Sequence, residues 1–358
     1  MRLFRLLVSS LVIKINVKQK EISHGLIRFF KDTKPKILNT KILNLNEISA
    51  GWETELYTFE MQFSENDGIK KKKLVIRMYP GNSAERKLTN EFFIYKNLSK
   101  QNYPVPKIHY ISTEKQYIGK PFLIMDWIPG GTLDQKLSSQ PEETFRLFCQ
   151  LFVDLHKLDW KPFLKNQNLE KNSISQIDIY LDSLENRVKQ FELTELEPIL
   201  IWLRGERNRI ENEYLALGHY DFHTFNILLN DNGEPFVIDW PSAKVNDFRF
   251  DLGWTLTLYR VYGNRENRNT LFETYQEIAG KQIEHMDFFE VSAILRRLSD
   301  ILGTLKSSDE STGLRNGVAQ MIKDSISHVE NLNSYLEELS SIRILKVDEL
   351  IENIKNSD

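Results

Sequence analysis

Residues 217–254 read LGHYDFHTFNILLNDNGEPFVIDWPSAKVNDFRFDLGW, and the placement of three polar residues in this stretch decides how the chain is interpreted. Asp221 lies two residues after His219, and Asn226 follows five residues later at the edge of a short apolar run, Ile227 to Leu229, which has the character of a buried strand. Asp231, Asn232 and Gly233 carry turn chemistry. Phe236 to Ile238 then returns antiparallel and ends at Asp239, so a hairpin draws Asn226 and Asp239 together. An amide oxygen and a carboxylate are hard ligands of the kind Mg²⁺ prefers. The ordinary alternative for Asp221 and Asn226 is an Asx-rich loop capped by its own side chains, and for Asp239 a strand-end turn residue. The joint spacing favours a functional site. His219 and His223 could form a zinc site with Asp221, but no cysteine or further histidine stands at a ligand spacing, so loop-structuring hydrogen bonds are preferred for both.

Upstream of this stretch the chain is β-rich. Ile22 to Phe30 has helical spacing and Lys34-Pro35-Lys36 breaks it; strands are expected over Leu43–Ser49, Glu55–Phe63, Leu74–Met78, Ile108–Ser112 and Phe122–Trp127. Ser83 is an N-cap candidate for a helix through Leu98. Lys70 to Lys73 precede the third strand as a solvated hairpin edge, a reading preferred over a nucleic-acid patch. After Ile128-Pro129-Gly130-Gly131 helical patterns take over, including 141–156, 174–191, 193–215, 251–262, 270–278, 287–306, 314–339 and 347–354. Three regions follow: an N-terminal extension and helix over 1–36, a β-rich lobe over 37–127 and a helical lobe over 128–358.

At 358 residues and 42.1 kDa the chain is long for one core, and 41% hydrophobic with 27% charged residues is an ordinary globular composition. A net charge of −3 gives no global reason to expect a nucleic-acid partner. The single cysteine, Cys149, lies in an apolar helical stretch and is read as a buried structural thiol in a reducing, cytoplasmic setting. No apolar run reaches the ~18 residues needed to span a bilayer, so no membrane partner is expected. The N-terminal MRLFRLLVSSLVIKINVK is interrupted by Lys14 and is read as a non-targeting extension over a signal peptide; whether residues 1–20 belong to the native chain is left open.

The residues at 219–226, HYDFHTFN, resemble the His-Gly-Asp-Leu-His-Pro-Gly-Asn loop of the aminoglycoside phosphotransferase and choline kinase-like family, a branch of the protein-kinase-like fold. Val237-Ile238-Asp239-Trp240 and Asp251-Leu252-Gly253 follow at the family's spacing, and the resemblance covers roughly Leu43 to Gly263. It implies an α+β, two-lobed protein-kinase-like fold with a small antiparallel-sheet N-lobe and a larger helical C-lobe. It further implies that Asp221 is the catalytic base, that Asn226 and Asp239 hold Mg²⁺, and that Arg77 faces the nucleotide phosphates in partnership with Glu91. Ser49 and Gly51, within Ile48-Ser49-Ala50-Gly51-Trp52, match the nucleotide-covering loop, and Asp126 and Ile128 match the hinge. Leu155-His156-Lys157-Leu158-Asp159 is a further match. The expected activity is Mg²⁺-dependent transfer of the γ-phosphoryl group of ATP, with GTP left open, to a hydroxyl of a small molecule.

The chain departs from the family at four places. Arg77 stands where aminoglycoside kinases usually have lysine, Gly51 is alone in its loop, Pro241 replaces a frequent glutamate, and Tyr220 and Phe225 replace small residues of the catalytic loop. The variable helices mix Asp178, Asp182 and Glu185 with Arg187, Lys189 and Arg204, which gives no dominant anionic surface for a polycation. Asp251 is read as a helix N-cap or, through the resemblance, as a brace for the loop. Trp254, Tyr259 and Tyr262 are read as core packing over an acceptor pocket. The rival function is a catalytically silent nucleotide-binding protein acting through a partner.

Overall fold

The computed structural model describes residues 2–48, 54–65, 68–137, 139–164, 175–306 and 326–356, with side chains from Val17 onward apart from Glu65. The chain divides into two compact units, Met1–Lys100 with Pro104–Pro129, and Gln101–Tyr103 with Gly130–Asp358.

The first unit is an antiparallel sheet in the order β1-β2-β3-β5-β4, formed by β1 (Leu38–Ile48), β2 (Glu55–Glu65), β3 (Gly68–Met78), β4 (Ile108–Ser112) and β5 (Phe122–Asp126). The expected strands are present: β1 begins earlier than expected, β2 and β3 run longer, β4 has the expected bounds and β5 ends one residue sooner, at Asp126. Only Leu74–Met78 of β3 pairs on both sides; Gly68–Lys73 pairs with β2 alone. That division explains the sequence of the strand, because its one-sided half carries the exposed lysines that blunt an edge and its two-sided half is apolar and buried. Helix α1 (Arg2–Thr33) is much longer than its apolar core suggested and seats Ile22, Leu26, Phe29 and Phe30 on one sheet face, where Phe29 meets Tyr117 and Phe122 edge-on. Helix α2 (Ala84–Lys100) covers the other face through Ala84 and Leu88, against Val75, Leu123 and Met125.

The second unit is mainly helical. Its helices are α4 (Asp134–Leu137), α5 (Pro141–Lys157), α6 (Gln176–Gln190), α7 (Glu197–Glu206), α8 (Phe248–Leu258), α9 (Arg265–Ala279), α10 (Met286–Lys306) and two C-terminal helices, Ser327–Ser340 and Leu345–Lys355; α3 (Lys115–Ile118) belongs to the first unit. Helix α5 begins with proline in its first turn, carries Glu142 and Glu143 there and ends on His156 and Lys157, the polarity its dipole favours. Cys149 sits on its buried face, where burial pushes the thiol up to about 12, so it is an inert packing residue.

Two expectations are corrected. A continuous helix over 193–215 does not form: α7 stops at Glu206, a short 3₁₀ turn covers Arg207–Arg209, and Leu215 opens strand β7 (Leu215–Gly218), because its backbone is needed to pair with β10 (Lys244–Asp247). Helix α8 starts three residues before Asp251, capped by Asp247, whose carboxylate accepts from the Arg249 N–H at 3.0 Å. The pattern at 314–339 falls partly outside the described residues. Among the described residues no helix is long and apolar enough to cross a membrane.

Candidate active site

Strand β7 delivers the loop 219–226, and the apolar run that follows forms β8 (Ile227–Leu229), which pairs antiparallel with β9 (Pro235–Val237) and with β6 (Gly131–Thr132). The turn between β8 and β9 closes as its residues require: Asn230 Oδ1 accepts from the Asn232 and Glu234 N–H groups, and Gly233 takes a φ of +81°. The Ile238 N–H then donates to the Asn226 carbonyl at 2.9 Å, which fixes Asn226 and Asp239 on neighbouring strand ends.

The loop is braced from behind by Asp251. Its side chain is fully buried and accepts from the backbone N–H groups of His219 and Tyr220, both at 2.6 Å, and from His156 Nε2 at 3.2 Å. His156 is itself fixed through Nδ1 to the Tyr275 hydroxyl at 2.6 Å. Asp251 is therefore a brace and not the helix cap. Gly218 permits the close approach, since a Cβ there would lie 2.7 Å from the Tyr220 ring and 3.0 Å from the Asp251 Cβ. Tyr220, with φ at +63°, holds the left-handed conformation that glycine adopts without strain, so this bulky residue is kept there by its surroundings. Thr224 Oγ1 donates to Asp134 at 2.9 Å and Thr255 Oγ1 to the Phe222 carbonyl at 3.0 Å, while the Phe222 ring stacks on Phe152 at 4.2 Å.

Asp221 is left open at the front, with 41% of its side chain exposed. The Trp254 indole N–H donates to its Oδ1 at 3.3 Å, and His223 Nε2 lies 3.5 Å from its Oδ2. Burial works to raise its pKa, but the hydrogen bond and charge of His223 and the charge of Arg296 outweigh it and hold the carboxyl well below the usual range. Asn226 Nδ2 donates to the Asp221 carbonyl at 3.0 Å and reaches His223 Nε2 at 3.2 Å, so these contacts engage the amide nitrogen and not its oxygen. His219 is buried beside Trp240 and donates through Nε2 to the Ile238 carbonyl at 3.0 Å, tying loop to hairpin. Burial lowers its pKa. Among the described residues no group of three or more His, Cys, Asp or Glu side chains forms a metal cluster. An amide oxygen plus one carboxylate nonetheless fits Mg²⁺, which takes few protein ligands and completes its shell with phosphate and water.

In the first unit, Arg77 on β3 is buried with its Nε 3.4 Å from Glu91 Oε2, and the Tyr79 hydroxyl donates to the same oxygen at 2.6 Å. Strand and helix thus carry a desolvated ion pair oriented by a tyrosine. Asp126 ends β5, where its carboxylate meets His109 Nε2 at 2.5 Å, and Ile128 lies in the segment just beyond. Ser49 and Gly51 lie outside the described residues.

Residues 45–289 match the family model described as "Phosphotransferase enzyme family". The chain belongs to the phosphotransferase enzyme family. Among solved structures it resembles a thermostable mutant of aminoglycoside phosphotransferase APH(4)-Ia, with a TM-score of 0.59 and 15% identity over 88% of this chain and 98% of that one. It also resembles choline kinase LicA from Streptococcus pneumoniae, with a TM-score of 0.55 and 14% identity over 87% of this chain and all of that one. These likenesses show the protein-kinase-like fold, with its small antiparallel N-lobe sheet and larger helical C-lobe. Acyl-CoA dehydrogenase family member 10 of Mus musculus is 24% identical over 204 residues, 52% of this chain, and the match spans 18% of the length of that curated relative.

Several contacts of this phosphotransferase family member are not visible in its motifs. Trp254 was expected in the core and is buried, yet its indole is bound to Asp221. Tyr262 was expected there too and is 59% exposed, stacked on His328. Arg296, on α10, has no motif to mark it; it donates to the Tyr220 carbonyl at 3.0 Å and lies 4.0 Å above the Trp254 ring. The acids of α6 are neutralised, Asp178 by Arg207 and both Asp182 and Glu185 by Arg204.

Proposed function

We propose that this chain transfers the γ-phosphoryl group of ATP to a hydroxyl of a small molecule in an Mg²⁺-dependent reaction. The observation that most supports the reading is the bond from the Ile238 N–H to the Asn226 carbonyl, which pairs the strand end bearing Asn226 with the one leading to Asp239, while the Asn226 amide also donates to the Asp221 carbonyl. Asp221 orients the acceptor hydroxyl and receives its proton as the new oxygen–phosphorus bond forms and the bond to the nucleoside diphosphate breaks. With its pKa held low, this carboxylate is ionised throughout the physiological range, so it accepts the acceptor's hydrogen bond at any working pH. Mg²⁺ held by Asn226 and Asp239 would neutralise charge on the phosphate oxygens. Arg77, positioned by Glu91, engages the phosphates in the unit that carries residues 37–127, and residues 128–358 carry the acceptor.

The test is ADP release with Mg²⁺-ATP across sugars, amino alcohols, hydroxy acids and nucleosides, with calorimetric binding of Mg²⁺-ATP alongside. Turnover on one acceptor class, abolished in Asp221→Asn, is the expected result. Nucleotide binding without turnover on any acceptor would favour the silent nucleotide-binding reading, and absence of nucleotide binding would overturn both.

A further inference from the structure

Arginines that face carboxylates are the rule in the helical unit. Arg249 is bound to Asp247, Arg268 to the buried Glu290, Arg187 to Asp300, and Arg207 to Asp178. Two cations break this pattern: Arg296, linked to Asp221 through Trp254, and Lys244, which shares the Tyr220 ring with it. Arg296 makes one hydrogen bond, to the Tyr220 carbonyl, and rests its guanidinium on the faces of Trp254 and Tyr220, 4.0 and 5.9 Å from their centroids. Lys244 opens β10, and its amine lies 4.4 and 4.3 Å from the ring centroids of Tyr180 and Tyr220, where burial and the charge of Arg296 pull its pKa down to about 7. Among the described residues neither is in ion-pair contact with a carboxylate. The acids whose charge acts on Arg296 are Asp300, which Arg187 occupies, and Asp221 itself. Asp251 is committed to two backbone N–H groups and His156.

The two cations are linked through one ring. Both lie on the Tyr220 ring, and Trp254 joins Arg296 to Asp221 by presenting its face to the guanidinium and its N–H to the carboxylate. Desolvating a cation without a counter-charge is unfavourable, and aromatic faces offset only part of that cost. Guanidinium carries five donors, so Arg296 retains several after its single bond, in a planar fork suited to a carboxylate or phosphate. The same positive charge disfavours a cationic acceptor at this place.

We propose that the acceptor hydroxyl belongs to a molecule that also bears an anionic oxygen group, a carboxylate or a phosphate, and that Arg296 and Lys244 hold that group next to Asp221. This inference rests on the phosphotransferase reading above and narrows it to a substrate class. Arg296 and Lys244 are specificity residues, and they select by charge.

Two matched acceptor sets test it: glycerol, glycerate, glycerol 3-phosphate and 3-amino-1,2-propanediol; and glucose, gluconate, glucose 6-phosphate and glucosamine. ADP release is followed with the full chain and Mg²⁺-ATP. The expected result is a kcat/KM at least tenfold higher for an anionic member than for its neutral and cationic counterparts, with carboxylate and phosphate members separating the two anion chemistries. Lys244→Gln and Arg296→Gln are expected to raise KM for that anionic acceptor about tenfold or more, with the smaller change in kcat, whereas Lys71→Gln on the exposed edge of β3 leaves KM unchanged. Preference for a neutral or cationic member overturns the inference and leaves the phosphotransferase reading standing. If no member is turned over, calorimetric titration with inorganic sulfate decides: saturable binding lost in Lys244→Gln supports the site, and no binding overturns it. Should Arg296→Gln fail to fold, Lys244→Gln alone carries the same comparison. Failure of Mg²⁺-ATP to bind at all is the separate result that removes the underlying function.

Discussion

Asp221 and Asp251 lie thirty residues apart in one unit and serve the same loop, yet their surroundings are opposite. Asp251 has no exposed side-chain surface and spends its oxygens on two backbone N–H groups and a histidine. Asp221 has an indole N–H and His223 close by and presents 41% of its side chain to solvent. A carboxylate whose lone pairs are all taken holds a shape, and one with lone pairs to spare has capacity for a ligand. The contrast separates bracing from chemistry more sharply than the residue types, which are identical.

The strongest way to break that contrast is to exchange the consequences. Asp221→Asn is expected to cut turnover by about 10² to 10⁴, the range for losing a general base, while the melting temperature stays near that of the parent chain. Asp251→Ala is expected to do the reverse at first hand, destabilising the fold by roughly 3–5 kcal/mol in urea denaturation because two buried N–H donors and His156 lose their acceptor. If Asp251→Ala unfolded at the parent's urea midpoint, the brace assignment would fail. Gly218→Ala sharpens the point from the other side: its new Cβ meets the Tyr220 ring and the Asp251 Cβ, with an expected loss of about 1–3 kcal/mol by the same denaturation.

The smallest expected effect is one of pH. His219 is buried and its folded pKa lies below the ordinary value of about 6.5, so the unfolded chain takes up a proton that the native state resists. Its contribution to stability is fully present above pH ~6.5 and declines as pH falls toward the folded value. Denaturation midpoints measured between pH 7 and 5 should fall less steeply in His219→Gln than in the parent; equal slopes would show that His219 is not the titrating group.

The hairpin within residues 217–254 was legible because its signals are local. Ile227–Leu229 and Pro235–Val237 pair as their turn residues demand, and the pairing sets Asn226 opposite Ile238, the residue before Asp239. The strands of the first unit were readable for the same reason, down to the lysine edge of β3. Reading failed where distant partners decide. Residues 210–215 look helical in isolation but run extended into β7, which Leu215 opens, because β10, some thirty residues on, needs a partner. Asp251 has the composition of a cap, and only the approach of β7 and α5 shows it to be a brace.

The sequence by itself determined which residues stand at the ends of the hairpin, which strand carries Arg77 and which helix carries Glu91, since turn chemistry and apolar periodicity act over a few residues. Tertiary structure alone decided that Asp251 would be saturated, that Trp254 would turn its N–H to Asp221, and that Arg296 and Lys244 would share the Tyr220 ring. Those outcomes depend on helices and strands separated by dozens of residues meeting at fixed distances. Hydrogen bonds are short-ranged and directional, and the strength of a charge pair depends on separation and burial, so no local pattern encodes which partner a polar side chain will find.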